Sequence, residues 1–278
     1  MKRILALLTL VLVLSTILNA QRISAEEIVQ KHLDSIATKE IRAKNKNVSL
    51  VGSVQLTVGP SVHYSSTGRS VFASEGQKIL FAMTFPLQSY PLEKIVWDGK
   101  NSTVGFPTQG QRSALGEFLA TNDGLFREGL LGGVLGKDWA LLDLDGRKGR
   151  LTSSGTKKID GKEAYVCSYE AKKGLGLTIR LYFDKETFRH VRTEYFRTIA
   201  APMGPTPEAS SRQTESIENL TEDFFDFKAE NGLVLPRGYR VTLLLQAAKT
   251  NEYRYDISFT DIYYNQDLDP STFSKDEK

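Results

Sequence analysis

The chain has 278 residues and a formal net charge of +3, with 40% hydrophobic and 25% charged residues. These values are ordinary for a globular protein. Lys2 and Arg3 lie in the first 20 residues, which contain no acid, so the rest of the chain is close to neutral. Binding to nucleic acid needs clustered excess positive charge. We therefore expect no nucleic-acid partner.

The N-terminus has the three-part form of a secretory signal peptide. Lys2 and Arg3 precede an apolar run, Ile4 to Leu14, and small residues follow near Ala20. This predicts a signal peptide over residues 1–20, cut after Ala20. The alternative is a retained membrane anchor, but the run is shorter than the roughly 20 residues that span a bilayer. We expect a periplasmic protein, secreted across the inner membrane, that uses no cofactor.

Residues 24–36 are predicted to form a helix. Ser24 is a good N-cap, and Glu27 completes a capping box three residues later. Lys31 and His32 are predicted on the exposed side. The apolar residues, which share the opposite face at helical spacing, are Ile28, Val29, Leu33 and Ile36.

From residue 48 the apolar period changes to two, which is typical of strands with one buried face. Asp-Gly pairs at 98–99, 145–146 and 160–161 indicate hairpin turns. We predict a mainly β (α+β) fold: a single curved antiparallel half-open β-barrel with helices covering its concave apolar face. The alternating sets run from Val48 to Val58, Ile79 to Phe85, Leu177 to Phe183, Tyr239 to Leu245 and Tyr253 to Phe259.

Two segments interrupt the strand pattern. Residues 116–136 are leucine-rich and helical in pattern, with several glycines. They are either a fixed plug in the sheet or a lid that hinges at the glycines. Residues 200–216 carry three prolines and no apolar period, which predicts a flexible loop. We expect this loop to lie within one domain, residues 21–278.

Catalytic and metal-binding patterns are missing. His32, His63 and His190 lack the spacing of zinc ligands. Cys167 is predicted to be a buried small apolar residue rather than a reactive thiol. Asp143 to Gly146 resembles a calcium loop without its later glutamate, and a hairpin turn explains it better. We predict no catalytic residue, no metal and no enzymatic activity.

Aromatic residues are abundant on the predicted strands: 14 Phe, 11 Tyr and 2 Trp. A curved sheet with a helix across its mouth would enclose a cavity that holds acyl chains, because burying their apolar surface gains about 25 cal/mol per Å². The alternative is that these side chains simply fill the core. The candidate lining residues, which share the apolar faces of the strands, are Phe81, Met83, Phe85, Trp97, Leu177, Ile179, Leu181, Leu243, Leu245 and Phe259.

Six short motifs follow the signal peptide in a familiar order: Ala25–Leu33, Leu50–Val54, Val96–Lys100, Ile159–Val166, Leu181–Thr187 and Asn231–Pro236. In this order the chain resembles the lipoprotein-carrier superfamily of LolA, LolB and RseB, especially its divergent outer membrane lipoprotein-sorting members. The resemblance implies an unclosed antiparallel barrel with helices over its apolar inside. Compared with the dedicated carriers, this chain is longer, has the 200–216 loop and lacks an arginine assignable as a lid lock.

The resemblance implies a non-enzymatic periplasmic carrier for acylated lipoprotein, lipid or another amphiphile. The alternative is an envelope-stress sensor or protein-interaction module of RseB type, which would add an envelope protein as partner. A secreted hydrolase is a third class, and it would need a polar cluster that only the folded chain could form. The nature of the cargo stays open at this point.

Overall fold

A computed structural model describes residues 23–61, 63–201, 206 and 214–274. The predicted signal peptide, residues 1–20, lies outside the described residues, as does most of the predicted loop at 200–216. Within the described ranges, no helix has both the length and the apolar character needed to cross a membrane.

The described chain is dominated by one antiparallel sheet of 12 strands. Period-two alternation continues through the long strands, so each has one buried face. The strands are β1 Asn47–Pro60, β2 Tyr64–Glu75, β3 Lys78–Thr84, β4 Leu92–Trp97, β5 Ser102–Val104, β6 Arg150–Ile159, β7 Lys162–Glu170, β8 Thr178–Asp184, β9 His190–Ile199, β10 Ser216–Glu230, β11 Leu233–Gln246 and β12 Thr250–Tyr264.

The described residues form five short α-helices, and the predicted N-cap at Ser24 is confirmed. Ser24 accepts a hydrogen bond from the Glu27 amide, and Ser113 accepts one from the Gly116 amide. The helices are α1 Ala25–Ile36, α2 Lys39–Lys44, α3 Ala114–Thr121, α4 Gly124–Arg127 and α5 Leu144–Arg147. Single 3₁₀ turns occupy Gly133–Leu135, Ala140–Leu142 and Pro270–Phe273.

The strand order is β5-β4-β3-β2-β1-β12-β11-β10-β9-β8-β7-β6. The sheet is therefore two meanders, β1 to β5 and β6 to β12, joined where β1 pairs with β12 from Val48↔Tyr264 to Pro60↔Asn251. The two edge strands, β5 and β6, are consecutive in the chain. The connection between them, residues 105–149, must cross the whole width of the sheet.

The sheet is strongly curved but not closed. Phe81 on β3 and Tyr239 on β11 lie four strand positions apart, which is about 19 Å in a flat sheet. Their ring centroids are 5.9 Å apart across the concave side. Only a curled sheet allows this contact. The predicted half-open barrel is thus confirmed, with β5 and β6 as its free edges.

The concave face is covered by helix α1 and by residues 114–142 of the connection, which we call the plug. Buried residues of α1 and of the plug belong to one continuous hydrophobic core with the inward side chains of the strands. This confirms that both apolar segments pack on the concave face. The buried hydrophobic side chains of the plug are Leu115, Phe118, Leu119, Leu125, Phe126, Leu130, Leu131, Val134, Leu135, Trp139, Ala140 and Leu141.

One predicted hairpin turn is wrong. The Asp98-Gly99 and Asp160-Gly161 pairs do connect β4 to β5 and β6 to β7. The 145–146 pair instead lies inside helix α5. The Asp143 side chain accepts a hydrogen bond from the Gly146 amide at 3.1 Å, so it caps a helical turn.

The prediction that His32 lies on the exposed side of α1 is also wrong. His32 is 1% exposed and lies in the core, although the helical pattern put it outside. Leu33 is only half-buried, at the margin of the core. Trp139 of the plug accounts for this, because its indole N–H finds an acceptor in His32. The centre of the buried stripe is therefore Ile28, which is fully buried.

Replacing Ile28 by Ala should lower the free energy of unfolding by about 2–5 kcal/mol, because it leaves a cavity under the helix. Urea unfolding followed by circular dichroism measures this. The matched control is Gln30→Ala on the exposed side of the same helix, which should change stability by about 0.5 kcal/mol or less. Equal effects of the two changes would contradict the packing of α1 on the sheet.

Candidate functional site

The candidate site is the concave face beneath the plug. Of the ten predicted lining residues, Leu177 and Leu245 are half-buried at the margin of the core. Leu177 and Ile179 also line a surface cleft of about 610 Å³ beside the β7–β8 loop. The remaining side chains are buried in the core, where the plug packs: Phe81, Met83, Phe85, Trp97, Ile179, Leu181, Leu243 and Phe259. Their role as ligand contacts stays a prediction.

The plug touches both halves of the curved sheet. A Cβ atom built on Gly132 would lie 2.7 Å from the Phe72 ring of β2, and one on Gly133 would lie 2.9 Å from the Phe224 ring of β10. Both glycines have positive φ angles, 76° and 47°. Glycine is needed here because the chain turns while its backbone lies directly on aromatic rings. The plug thus sits against the floor of the concave face.

A buried carboxylate joins the plug to the sheet. Glu222 on β10 is fully buried, and it accepts a hydrogen bond from the Gly132 amide at 2.8 Å. The hydroxyls of Tyr195 and Tyr239 also donate to this carboxylate. Tyr195 contacts the Leu130 carbonyl at 3.1 Å as well. Burial raises the pKa of Glu222, while its three donors oppose the rise. We call this cluster the Glu222 anchor.

A second buried carboxylate holds the start of the plug. Glu93 on β4 accepts hydrogen bonds from the Tyr90 hydroxyl and from Ser113, the N-cap of α3. Tyr90 in turn contacts the Tyr255 hydroxyl of β12 at 3.1 Å. Burial raises the pKa of Glu93. Its Oε1 atom is buried without a hydrogen-bond partner among the described residues, so this anchor is incompletely satisfied.

Two buried histidines lie under the other end of the plug. His32 Nε2 accepts from the Trp139 indole at 3.2 Å, and Nδ1 lies 3.1 Å from the Phe188 carbonyl. These partners fit the neutral ring with its proton on Nδ1. His190, whose ring centroid is 6.0 Å from that of His32, contacts the Thr193 hydroxyl at 2.9 Å. Burial lowers the pKa of His32 to about 4 and that of His190 well below its ordinary value.

Other candidate chemistries find no support within the residues that the structure describes. No three His, Cys, Asp or Glu side chains there are grouped as a metal site needs. His63 is exposed and apart from the other two histidines. Cys167 is fully buried, as predicted, and burial raises its pKa to about 12. A thiol in that state is not a nucleophile at neutral pH.

Sequence reasoning missed both anchors, although a signal for them exists. Glu222 stands between Leu220 and Phe224 in the period-two pattern of β10, and all three point inward. Glu93 likewise shares its face with Ile95 on β4. An acid at an apolar position of a buried strand face indicates a buried carboxylate that needs hydrogen-bond donors from other elements. Its partners come from distant strands and from the plug, which the pattern does not reveal.

A small recess opens between helices α1 and α2, the plug and β11, with a volume of about 90 Å³. Its floor belongs to the hydrophobic core, through Val48, Val134 and Leu235. Two cationic residues, Arg42 and Lys137, lie along its lining. It is a mainly apolar recess that carries two cations at the edge of the core.

The chain is similar to solved structures of the LolA superfamily, the family that its sequence motifs resemble. A LolA superfamily protein from Nitrosomonas europaea is 16% identical, with 91% of this chain and 98% of that chain covered and a TM-score of 0.46. A domain described as an outer membrane lipoprotein-sorting protein from Vibrio parahaemolyticus is 12% identical, with 89% and 97% covered and a TM-score of 0.43. Pseudomonas aeruginosa MucB in complex with MucA is 10% identical, with 86% and 99% covered and a TM-score of 0.25.

No known family's sequence profile matches the chain, and no curated protein matches it. At the identities of the solved structures, what those proteins bind is a property of those proteins. The function of this chain rests on its own residues.

Acid should destabilise the fold through the buried histidines. The unfolded chain takes up a proton at His32 near pH 6.5, whereas the folded chain does so only near pH 4. Stability is therefore full above pH 6.5 and falls towards pH 4, by about 1.4 kcal/mol per pH unit for each histidine held neutral. Urea unfolding at pH 7 and pH 4.5 measures this. His32→Gln should lose less stability over that interval than the wild type, whereas the exposed-histidine control His63→Gln should lose as much as the wild type.

The Glu222 anchor should control how often the plug opens. In Glu222→Gln the side chain loses its charge and one of its two acceptor oxygens, so the charge-assisted hydrogen bonds that it accepts weaken, which costs about 1–3 kcal/mol. Amide hydrogen exchange over residues 130–136 should therefore accelerate about tenfold or more. The control is Glu194→Gln on β9, where the carboxylate accepts from Tyr182 at 2.5 Å on the outer face. Acceleration that is equal in the plug and in the strands would contradict a local anchor.

Proposed function

We propose that the chain is a non-enzymatic periplasmic protein that binds an acylated lipoprotein, a lipid or another amphiphile, and that the acyl part occupies the concave face in place of the plug. The observation that supports this most is the way in which the concave face is covered. A large apolar face is closed by a segment that belongs to no strand of the sheet.

The plug can separate from the sheet without breaking the strand ladder. Its backbone hydrogen bonds close mainly within itself, as from Leu130 to the Leu125 carbonyl and from Ala140 to the Gly129 carbonyl. Its polar contacts with the described strands are scattered, at Glu222, Tyr195, Ser74, Tyr169 and Arg197, and the Glu222 anchor is the most buried of them. Displacement would therefore cost mainly apolar contacts, which a ligand can replace.

The free energy gained by burying an acyl chain is large enough to offset the exposure of part of the plug. Burying an acyl chain gains about 0.8 kcal/mol per methylene, and exposing a large apolar side chain costs about 1.5–3 kcal/mol. Ten buried methylenes thus offset the exposure of about three to five plug residues. Leu130, Leu131 and Val134 lie next to the anchor and are the first candidates for release. A short chain should bind weakly and a long one well.

A second candidate function, a sensor or protein-interaction module, is favoured by one feature of the outer face. β10 pairs with β9 only as far as Asp223 and then continues alone on that side. A cleft of about 510 Å³ lies there, lined by Arg189 and by Phe225, which is 40% exposed. This cleft could dock a partner protein while the concave face holds a ligand.

Delipidated protein should bind a fluorescent fatty acid or a lipopeptide saturably at micromolar concentration. Glu222→Gln should bind severalfold more tightly than the wild type, because apparent affinity rises with the population of the open state. Fluorescence titration measures both. Glu194→Gln, the matched control, should bind like the wild type.

Absence of saturable binding would count heavily against the proposal. Faster exchange in the plug of Glu222→Gln without tighter binding would show that the ligand does not enter under the plug. The sensor function predicts instead that a stable protein partner from an envelope extract is lost on Phe225→Asp while amphiphile binding is retained.

A further inference from the structure

The recess of about 90 Å³ at the edge of the plug has a chemical character of its own. Its lining is apolar except for three residues, Arg42, Lys137 and Tyr264, and it contains no carboxylate. A volume of this size holds about three waters. It is therefore large enough for a carboxylate or a phosphate group but not for an acyl chain.

Lys137 is the most unusual member of this lining. It is half-buried, and no acid lies within ion-pair distance of its side chain among the described residues. The backbone amide of Lys137, by contrast, is fixed to the Ser74 hydroxyl of β2 at 2.9 Å. Burial lowers the pKa of its ammonium group. A half-buried ammonium group at the rim of an apolar recess, with no acid beside it, can form a charge-assisted pair with an anion that enters the recess.

The other two polar groups have unused donors. The Tyr264 hydroxyl is buried and has no hydrogen-bond partner in the described part of the chain. Burial, and secondly the carboxylate of Glu230, raise the pKa of this phenol, but that carboxylate is paired with Arg237. Arg42 donates from Nη1 to the carbonyls of Leu33 and Ala37, at the end of α1. Its remaining N–H groups are available to an anion.

We propose that this recess holds the anionic head of an amphiphile, a carboxylate or a phosphate ester on an acyl chain, between Lys137, Arg42 and Tyr264. The inference rests on the proposed function and narrows its ligand class to anionic amphiphiles. Because the floor of the recess is the core beneath the plug, a head held there directs the attached chain towards the concave face.

The test compares two amphiphiles with the same chain and different heads, palmitate and monopalmitoylglycerol, in calorimetric titrations at pH 8. Lys137→Gln should weaken palmitate binding about tenfold or more, since it removes one charge-assisted contact. The same change should alter monopalmitoylglycerol binding by about twofold or less. Tyr264→Phe keeps the ring and should weaken palmitate binding severalfold. Lys173→Gln, at an exposed lysine, is the matched control and should change neither affinity.

The outcomes separate the inference from the proposed function. If both amphiphiles bind the wild type but Lys137→Gln and Tyr264→Phe affect them equally or not at all, the head-group site is wrong and the carrier function stands. If neither amphiphile binds, both are wrong. Acetate and inorganic phosphate, titrated alone, distinguish the source of the anion. If either binds as tightly as palmitate and depends on Lys137, the recess is a site for free anions and the proposed amphiphile head is overturned.

Discussion

The constraint on which the rest of the structure depends is the path of one connection. Strands β5 and β6 are consecutive in the chain but lie at opposite edges of the sheet. The residues between them must therefore cross the sheet, and they cross it on the concave side. Because the sheet is curled, this crossing segment is surrounded by inward-facing side chains and becomes part of the core. The cover of the concave face is thus a consequence of topology.

The same constraint explains why polar groups are buried beneath the plug. A segment without strand pairing must satisfy its backbone groups by local turns or by side chains from the sheet. The Gly132 amide donates to the Glu222 carboxylate, and the Leu130 carbonyl contacts the Tyr195 hydroxyl. These contacts fix where the plug sits, while leucine and phenylalanine side chains supply most of its burial. The polar contacts determine the position of the plug, and apolar burial supplies most of its stability. A substitution can therefore change one without removing the other.

This separation of polar positioning from apolar burial bears on whether residues 114–142 are a fixed plug or a movable lid. In the structure they fill the concave face, and the ten residues expected to line a cavity lie mainly in the packed core. A carrier built this way would store its binding surface in a closed form and expose it when the plug is displaced. On the same proposal, the recess beside Lys137 would receive the charged head while the plug is still in place.

The sequence by itself determined the strand alternation, the N-cap at Ser24, two of the three hairpin turns and the burial of Cys167, since each follows from local period or local hydrogen bonding. It also predicted that one curved sheet would be covered by helices. The helical turn after Asp143 is also local, but the Asp-Gly pair predicts a hairpin turn instead of a capped turn. Only the tertiary structure decided the burial of His32 and the anchors at Glu222 and Glu93. His32 and Glu222 are buried because Trp139, Tyr195 and Tyr239, all distant in sequence, offer them partners. A period of hydrophobic residues shows which face is inward, but it does not show which polar groups will meet there.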